Sequence, residues 1–209
     1  MRNEYKLFSV AYVRNIEATA IIGWFLFLVM MVAFLLCRQE MREAIAKYQT
    51  VSEQQQKQKE EEYKMVSSVR GVIHENNPSL SYEQVDEMAG YELKYSKINH
   101  IDPAIGLAIS MQESNFNPNA VSYTGCCLGQ KQINFSAHKK EYGIKTRKEL
   151  LDPEYNIQLG YRLMADNVDR YGTMGKALQH YYGSTDSREN ILYMKSVMSK
   201  AKQIRRDVS

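Results

Sequence analysis

Hydrophobic and polar positions divide the chain into three stretches. From Ala18 to Cys37 the sequence reads ATAIIGWFLFLVMMVAFLLC and carries no charge. A helix of about 20 residues is ~30 Å long, which matches the hydrocarbon core of a bilayer. A helix inside a soluble core rarely stays apolar on all faces for this length. A cleaved signal peptide has a shorter apolar region and a small-residue cleavage site. A lipoprotein-type site at Cys37 would want a small residue where Leu36 stands. The stretch is therefore expected to be a retained transmembrane helix, residues 18–37, after an N-terminal segment, residues 1–17. Arg2, Lys6 and Arg14 precede it, and Arg38, Arg42 and Lys47 follow it. The positive-inside rule therefore does not set its orientation.

Residues 38–65 are rich in Gln, Glu and Lys. These are good helix formers without a strong apolar face. Met41, Ile45 and Tyr48 begin a heptad stripe that Ser52, Gln55, Lys59 and Glu62 break. The pattern predicts a solvated helical stalk, with a coiled-coil oligomerisation element as the alternative.

From residue 66 to 209 the pattern is that of a globular domain. Val66, Val69, Val72 and Ile73 fall at helical spacing, and Asn76-Asn77-Pro78 stops that helix. Ser81 is a candidate N-cap for the next one. Ile101-Asp102-Pro103 opens the segment AIGLAISMQES, apolar on most sides and so expected to be a buried central helix with Glu113 at its end. Asp152-Pro153 starts another helix; Thr173 to Tyr182 and Arg188 to about Arg205 form the last two. Asn117-Pro118 and Thr124-Gly125 are turn signals. With four prolines, 11 glycines and no long β-branched alternation, the expected fold class is mainly α: a transmembrane helix, a polar helical stalk and an all-helical domain.

Charge and cysteine usage narrow the function. A net charge of +3 is too small and too dispersed to predict a nucleic-acid partner. Lys195, Lys200, Lys202, Arg205 and Arg206 gather at the C-terminus, as a helix end favoured by its dipole or as a patch for an anionic wall or membrane surface. Three cysteines cannot all pair, and the set has neither a disulfide framework nor zinc spacing. Adjacent Cys126 and Cys127 are expected to pack rather than react. The four histidines are scattered without an HExxH pattern. No metal site and no cofactor are expected.

Glu113 carries the candidate chemistry. A carboxylic acid beside an apolar helix loses hydration when ionised, so its pKa rises from ~4.3 toward 6 or above. Such a group can protonate a glycosidic oxygen at neutral pH. On local pattern alone an ordinary exposed helix-end glutamate competes with this reading.

An ordered set of motifs tips the balance. Glu113-Ser114 is followed by Ala120-Val121-Ser122. The segment Gly125-Cys126-Cys127-Leu128-Gly129-Gln130-Lys131-Gln132-Ile133 comes next, and then Ala177-Leu178-Gln179-His180-Tyr181. With the approach NHIDPAIGLAISMQES, the Asp152-Pro153 to Asn156-Ile157 to Gly160 run and the closing Tyr193 to Val197 segment, this resembles the lytic transglycosylases. These are lysozyme-like enzymes that cut the glycan strands of bacterial cell walls. The resemblance spans Tyr91 to Lys200, about half the chain. It departs from the family pattern in three places. The segment between Gly125 and Gly129 is one residue longer, Gln130-Lys131 stand where Leu-Met is usual, and Tyr182 stands where asparagine is usual.

The resemblance implies a lysozyme-like catalytic domain in which Glu113 is the single catalytic acid and base. It further implies that Ser122, Gln132 and Tyr181 line the cleft and hydrogen-bond either the carboxylate or the substrate's acetamido group. Each has a plainer reading: a turn cap for Ser122, a loop amide for Gln132, a core residue for Tyr181. No second carboxylate stands at a family motif position; Asp152 and Glu154 are expected to initiate a helix. The family's solution is that the substrate's own N-acetyl group assists departure of the leaving sugar. Glu113 then takes the C6 hydroxyl proton of muramic acid and a 1,6-anhydro ring closes. A hydrolytic outcome, as in goose-type lysozymes, stays open, as does a non-catalytic wall-binding or scaffold protein. The expected partners are peptidoglycan strands, a membrane, and a virion or a secretion or conjugation assembly. The expected location is a bacterial inner membrane or a virion, single-pass, with the catalytic domain outside the cytoplasm.

Overall fold

The computed structural model describes residues 2–208. Met1 and Ser209, the outer limits of the expected first and last segments, lie outside the described residues. Helix α1 runs Arg2–Asn76. The chain divides into two units at residue 60, so the last turns of α1 belong to the second unit.

In the first unit every side chain from Ile21 to Thr50 is exposed, including Trp24, Phe25, Phe27 and Phe34. Among the described residues this is the one helix long and apolar enough to cross a membrane, by length and composition. The polar part that follows carries Gln39–Glu43 and Lys64–Glu60 contacts, one helical turn apart. Pairs of this kind support an exposed helix by a few tenths of a kcal/mol each.

The second unit is a helical bundle around α3. Residues Val69, Val72 and Ile73 at the end of α1 enter its core. Helix α2, Tyr82–Ile98, opens with a capping box in which Ser81 and Gln84 exchange side-chain and backbone hydrogen bonds, worth about 1 kcal/mol. Helix α3, Pro103–Ser114, is capped by Asp102 and buries every residue from Ala104 to Ser110. Helices α5 (Pro153–Tyr171), α6 (Met174–Tyr182) and α7 (Ser187–Val208) pack around it, through Ile157, Tyr161 and Met164, Ala177 and Leu178, and Tyr193, Val197 and Ala201. Asp152 and Thr173 cap α5 and α6 through their side chains.

Between α3 and α5 the chain leaves helical structure. Strands β1 (Cys127–Leu128) and β2 (Ile133–Asn134) form an antiparallel hairpin, pairing Cys127 with Asn134 and Leu128 with Ile133. A single turn, α4 (Phe135–His138), and a 3-10 helix at Arg147–Leu151 follow. A second, smaller core of Leu128, Ile133, Ile144, Leu150, Leu159 and Leu163 lies against the hairpin. The fold class is mainly α, as expected, and the two-residue strands of the hairpin are an addition to it.

Candidate active site

Helix α3 delivers Glu113 in its last turn and then stops abruptly. Asn115 and Phe116 both adopt left-handed backbone, with φ of 52° and 61°. Neither is glycine, so each costs roughly 1–3 kcal/mol. Burial of the whole Phe116 ring offsets this, and the Asn115 amide donates to the carbonyl of Asn76 at the end of α1. The reversal leaves the Glu113 carboxyl at the lip of a cleft of about 350 Å³.

All four residues singled out in the sequence line this cleft: Glu113, Ser122, Gln132 and Tyr181. Four separate stretches bring them together. Ser122 sits in the loop before β1, where its Oγ accepts the Cys127 N–H at 3.0 Å. Gln132 lies in the hairpin turn with φ of 48°, and its amide donates to the carbonyls of Gly129 and Ala120 at 2.9 and 3.2 Å. Tyr181, near the end of α6, donates its hydroxyl to the Lys131 carbonyl at 2.9 Å. These three polar groups hold the loop as well as facing the cleft.

The group that touches the Glu113 carboxyl is a fifth residue, Tyr193 of α7. Its hydroxyl donates to Oε1 at 2.5 Å. Its ring stacks on Tyr182, with centroids 4.8 Å apart, so the family departure at Tyr182 forms part of the cleft wall. Burial pushes the Glu113 pKa up to about 7, against the Tyr193 hydrogen bond and the charge of Lys131, which both pull it down. The negative end of the α3 dipole adds to the upward pressure. Among the described residues Glu113 is the one carboxylate lining the cleft. His138, Arg170 and His180 line the same cleft, the last stacked on Tyr171 at 3.5 Å.

Behind the cleft lies an arrangement that the sequence reading did not anticipate. Lys131 and Glu92 form an ion pair with side-chain exposures of 1% and 0%. Lys131 Nζ donates to both Glu92 oxygens, at 2.8 and 3.0 Å, and to the Gly106 carbonyl at 2.7 Å. Glu92 also accepts from Ser110, Gln130 and Tyr161, at 2.8, 2.7 and 2.7 Å. Every ammonium proton and both carboxylate oxygens are thus engaged, which is what a buried pair needs to offset its desolvation. A signal was present in the sequence. Val85, Met88, Ala89 and Tyr95 form the buried stripe of α2, and Glu92 falls within it. Two polar residues, Gln130 and Lys131, stand where the family pattern is apolar, so each half of the network marks the other. Tyr193 opens the closing motif segment, but that mark does not point to its partner, 80 positions away.

A protein of Enterobacteria phage PRD1, described as a transglycosylase, is 33% identical over 87 residues, which cover 42% of this chain and 31% of that protein. The matched stretch is therefore about a third of the relative's length. An inactive mutant of the lytic transglycosylase Slt from Pseudomonas aeruginosa aligns at 20% identity with a TM-score of 0.48, over 56% of this chain and 24% of that one. The family model described as the Transglycosylase SLT domain matches residues 90–202. That stretch holds Glu113, Tyr193 and the whole cleft between them, and the chain belongs to this family.

Proposed function

We propose that this protein is a membrane-anchored peptidoglycan lytic transglycosylase. It cleaves the β-1,4 bond between N-acetylmuramic acid and N-acetylglucosamine and leaves a 1,6-anhydro end. The observation that carries this reading is Glu113, a half-buried carboxyl with a pKa near 7, bonded to Tyr193 in a cleft with Ser122, Gln132 and Tyr181. Near neutral pH both of its protonation states are populated, which suits one residue acting first as acid and then as base.

In the first step Glu113 gives its proton to the glycosidic oxygen as the bond to C1 breaks. The substrate's acetamido oxygen shares the positive charge that develops at C1. The Glu113 carboxylate, held by the Tyr193 hydroxyl, then takes the proton of the C6 hydroxyl, whose oxygen closes on C1. The proton count balances and Glu113 ends as it began. The lack of a second carboxylate among the described lining residues favours this course over the paired-carboxylate one. Ser122, Gln132 and Tyr181 bind the sugar, and the two stacked aromatic pairs, Tyr171 with His180 and Tyr182 with Tyr193, offer faces to its rings.

The apolar stretch at residues 18–37 spans the membrane once, with the N-terminus in the cytoplasm and the catalytic unit outside. Such a tether suits local opening of the wall, for genome delivery by a virion or for a secretion or conjugation apparatus. The phage relative favours the first.

The test uses the full chain in detergent on purified wall sacculi, with mass analysis of the released fragments. Anhydro ends that disappear in Glu113→Gln are expected. Reducing ends would make the protein a hydrolase. Binding without release would leave it a wall-binding component.

A further inference from the structure

We propose that Lys131, clamped by Glu92, is a positioning residue for the reaction: its buried side chain pegs the hairpin turn to the bundle core and so fixes Gln132 and Tyr181 beside Glu113. The proposal rests on the reading of the cleft as a transglycosylase site.

The two halves of Lys131 do different work. Its ammonium is held by Glu92 of α2 and by the Gly106 carbonyl of α3, and it lies 4.8 Å from the centre of the Tyr161 ring of α5. Its backbone is bonded both to the core and to a residue of the cleft wall. The Lys131 N–H donates to the Asn156 side chain at 2.7 Å, the carbonyl receives Tyr181, and the next residue is Gln132. One side chain thus ties three helices to the turn that bears Gln132 and receives the Tyr181 hydroxyl. The surroundings are built for it. A Cβ on Gly160 would lie 2.7 Å from Lys131 Cγ, and a Cβ on Gly106 would overlap the Tyr161 hydroxyl. Both glycines leave room for members of the network.

An apolar pair could fill the same space, and such exchanges often leave stability unchanged or higher. Stability alone therefore does not explain the charges. Two effects on the site do. The first is registration: three directed hydrogen bonds from one ammonium admit a single setting of the turn, whereas apolar contacts tolerate sliding. The second is electrostatic, because the Lys131 charge opposes the effect of burial on Glu113. The other titratable groups facing Glu113 are Tyr193 from α7, Tyr181 from α6 and Cys127 from β1, with His138, Arg170 and His180 lining the same cleft.

The experiment replaces both charges at once in the full chain. Glu92→Gln/Lys131→Met keeps one acceptor oxygen, placed for Ser110 and Gln130, and turns an amide NH2 toward the Tyr161 hydroxyl; Glu92→Leu/Lys131→Met is the second variant, in case the first does not fold. Three quantities are read: cooperative melting, kcat for fragment release, and the Glu113 carboxyl titration by NMR on 13C-labelled glutamate, assigned with Glu113→Gln. The expected result is cooperative melting, a kcat at least about tenfold lower, and a Glu113 midpoint moved upward. A double variant that melts cooperatively with parental kcat and midpoint would overturn the proposal. So would failure of both variants to melt cooperatively, which would make the pair a structural requirement only. If the parent releases nothing, or Glu113→Gln releases as much as the parent, the reading of the site has failed and the positioning role falls with it.

Discussion

Tyr193 donates its hydroxyl to Oε1 of Glu113 at 2.5 Å, and this contact ties the last helix of the chain to the end of α3. The donor favours the charged carboxylate. Removing it in Tyr193→Phe should raise the Glu113 pKa above its value of about 7. A hydrogen bond to a charged group is worth about 1.5–3 kcal/mol, or roughly one to two pH units. The alkaline limb of the pH–rate profile, where the acid loses its proton, should therefore move to higher pH by that amount, with the maximum rate reduced. An unmoved limb in Tyr193→Phe would mean that the contact does not govern the acid.

The same carboxyl makes stability depend on pH. Its folded pKa, about 7, lies above the ordinary glutamate value. The folded state therefore holds the proton more tightly than the unfolded one. The stabilisation is complete below about pH 4.3 and is lost as pH rises through 7. Over that window it amounts to roughly 3.5 kcal/mol at most. Glu113→Gln should remove this slope and be the more stable protein above pH 7. Urea melts of both proteins at pH 5 and pH 8 measure the difference.

Cys126 and Cys127 differ in chemistry although they adjoin. Hydrogen bonds from Cys127, Thr124 and Ser122 pull the Cys126 thiol down to about 7, whereas burial and then the Cys126 contact push Cys127 up to about 12. The thiolate is the reactive form. In a Cys37→Ser background, iodoacetamide should label one thiol with a midpoint near pH 7, and Cys126→Ser should abolish that label. Equal labelling of both cysteines at pH 8 would contradict the assignment.

Asn156 joins three pieces of backbone from inside the core. Its amide donates to the Leu128 and Leu150 carbonyls, both at 2.9 Å, and its oxygen accepts from Lys131. Asn156→Ala leaves all three groups buried without a partner, at about 1–3 kcal/mol each before relaxation. A net loss of about 3–5 kcal/mol is expected in urea unfolding, large for a single change. Asn167→Ala removes one weaker bond, at 3.4 Å, and should cost under about 1.5 kcal/mol.

Much of the helical frame was legible because its caps are local. Ser81, Asp102, Asp152 and Thr173 each bond a backbone N–H within three positions, and Pro78 stands just past the end of α1. The hairpin was not legible, since strands of two residues carry no period. The site divided in the same way. Glu113, Ser122, Gln132 and Tyr181 stand in short motifs that can be read in order. Tyr193 and Glu92 act through space across 80 and 39 positions; the closing motif segment and the apolar stripe of α2 mark the two positions, but neither mark names the partner.

The ion pair behind the cleft also limits how this chain can change over generations. Losing Lys131 alone would strand a carboxylate in the core, and losing Glu92 alone would strand an ammonium. Either step costs about 3–5 kcal/mol, a large part of a domain's whole stability. The two positions are therefore locked to each other, and any lineage that leaves this arrangement must cross a poorly folded intermediate or change both together. Kin of this protein should carry both residues or neither.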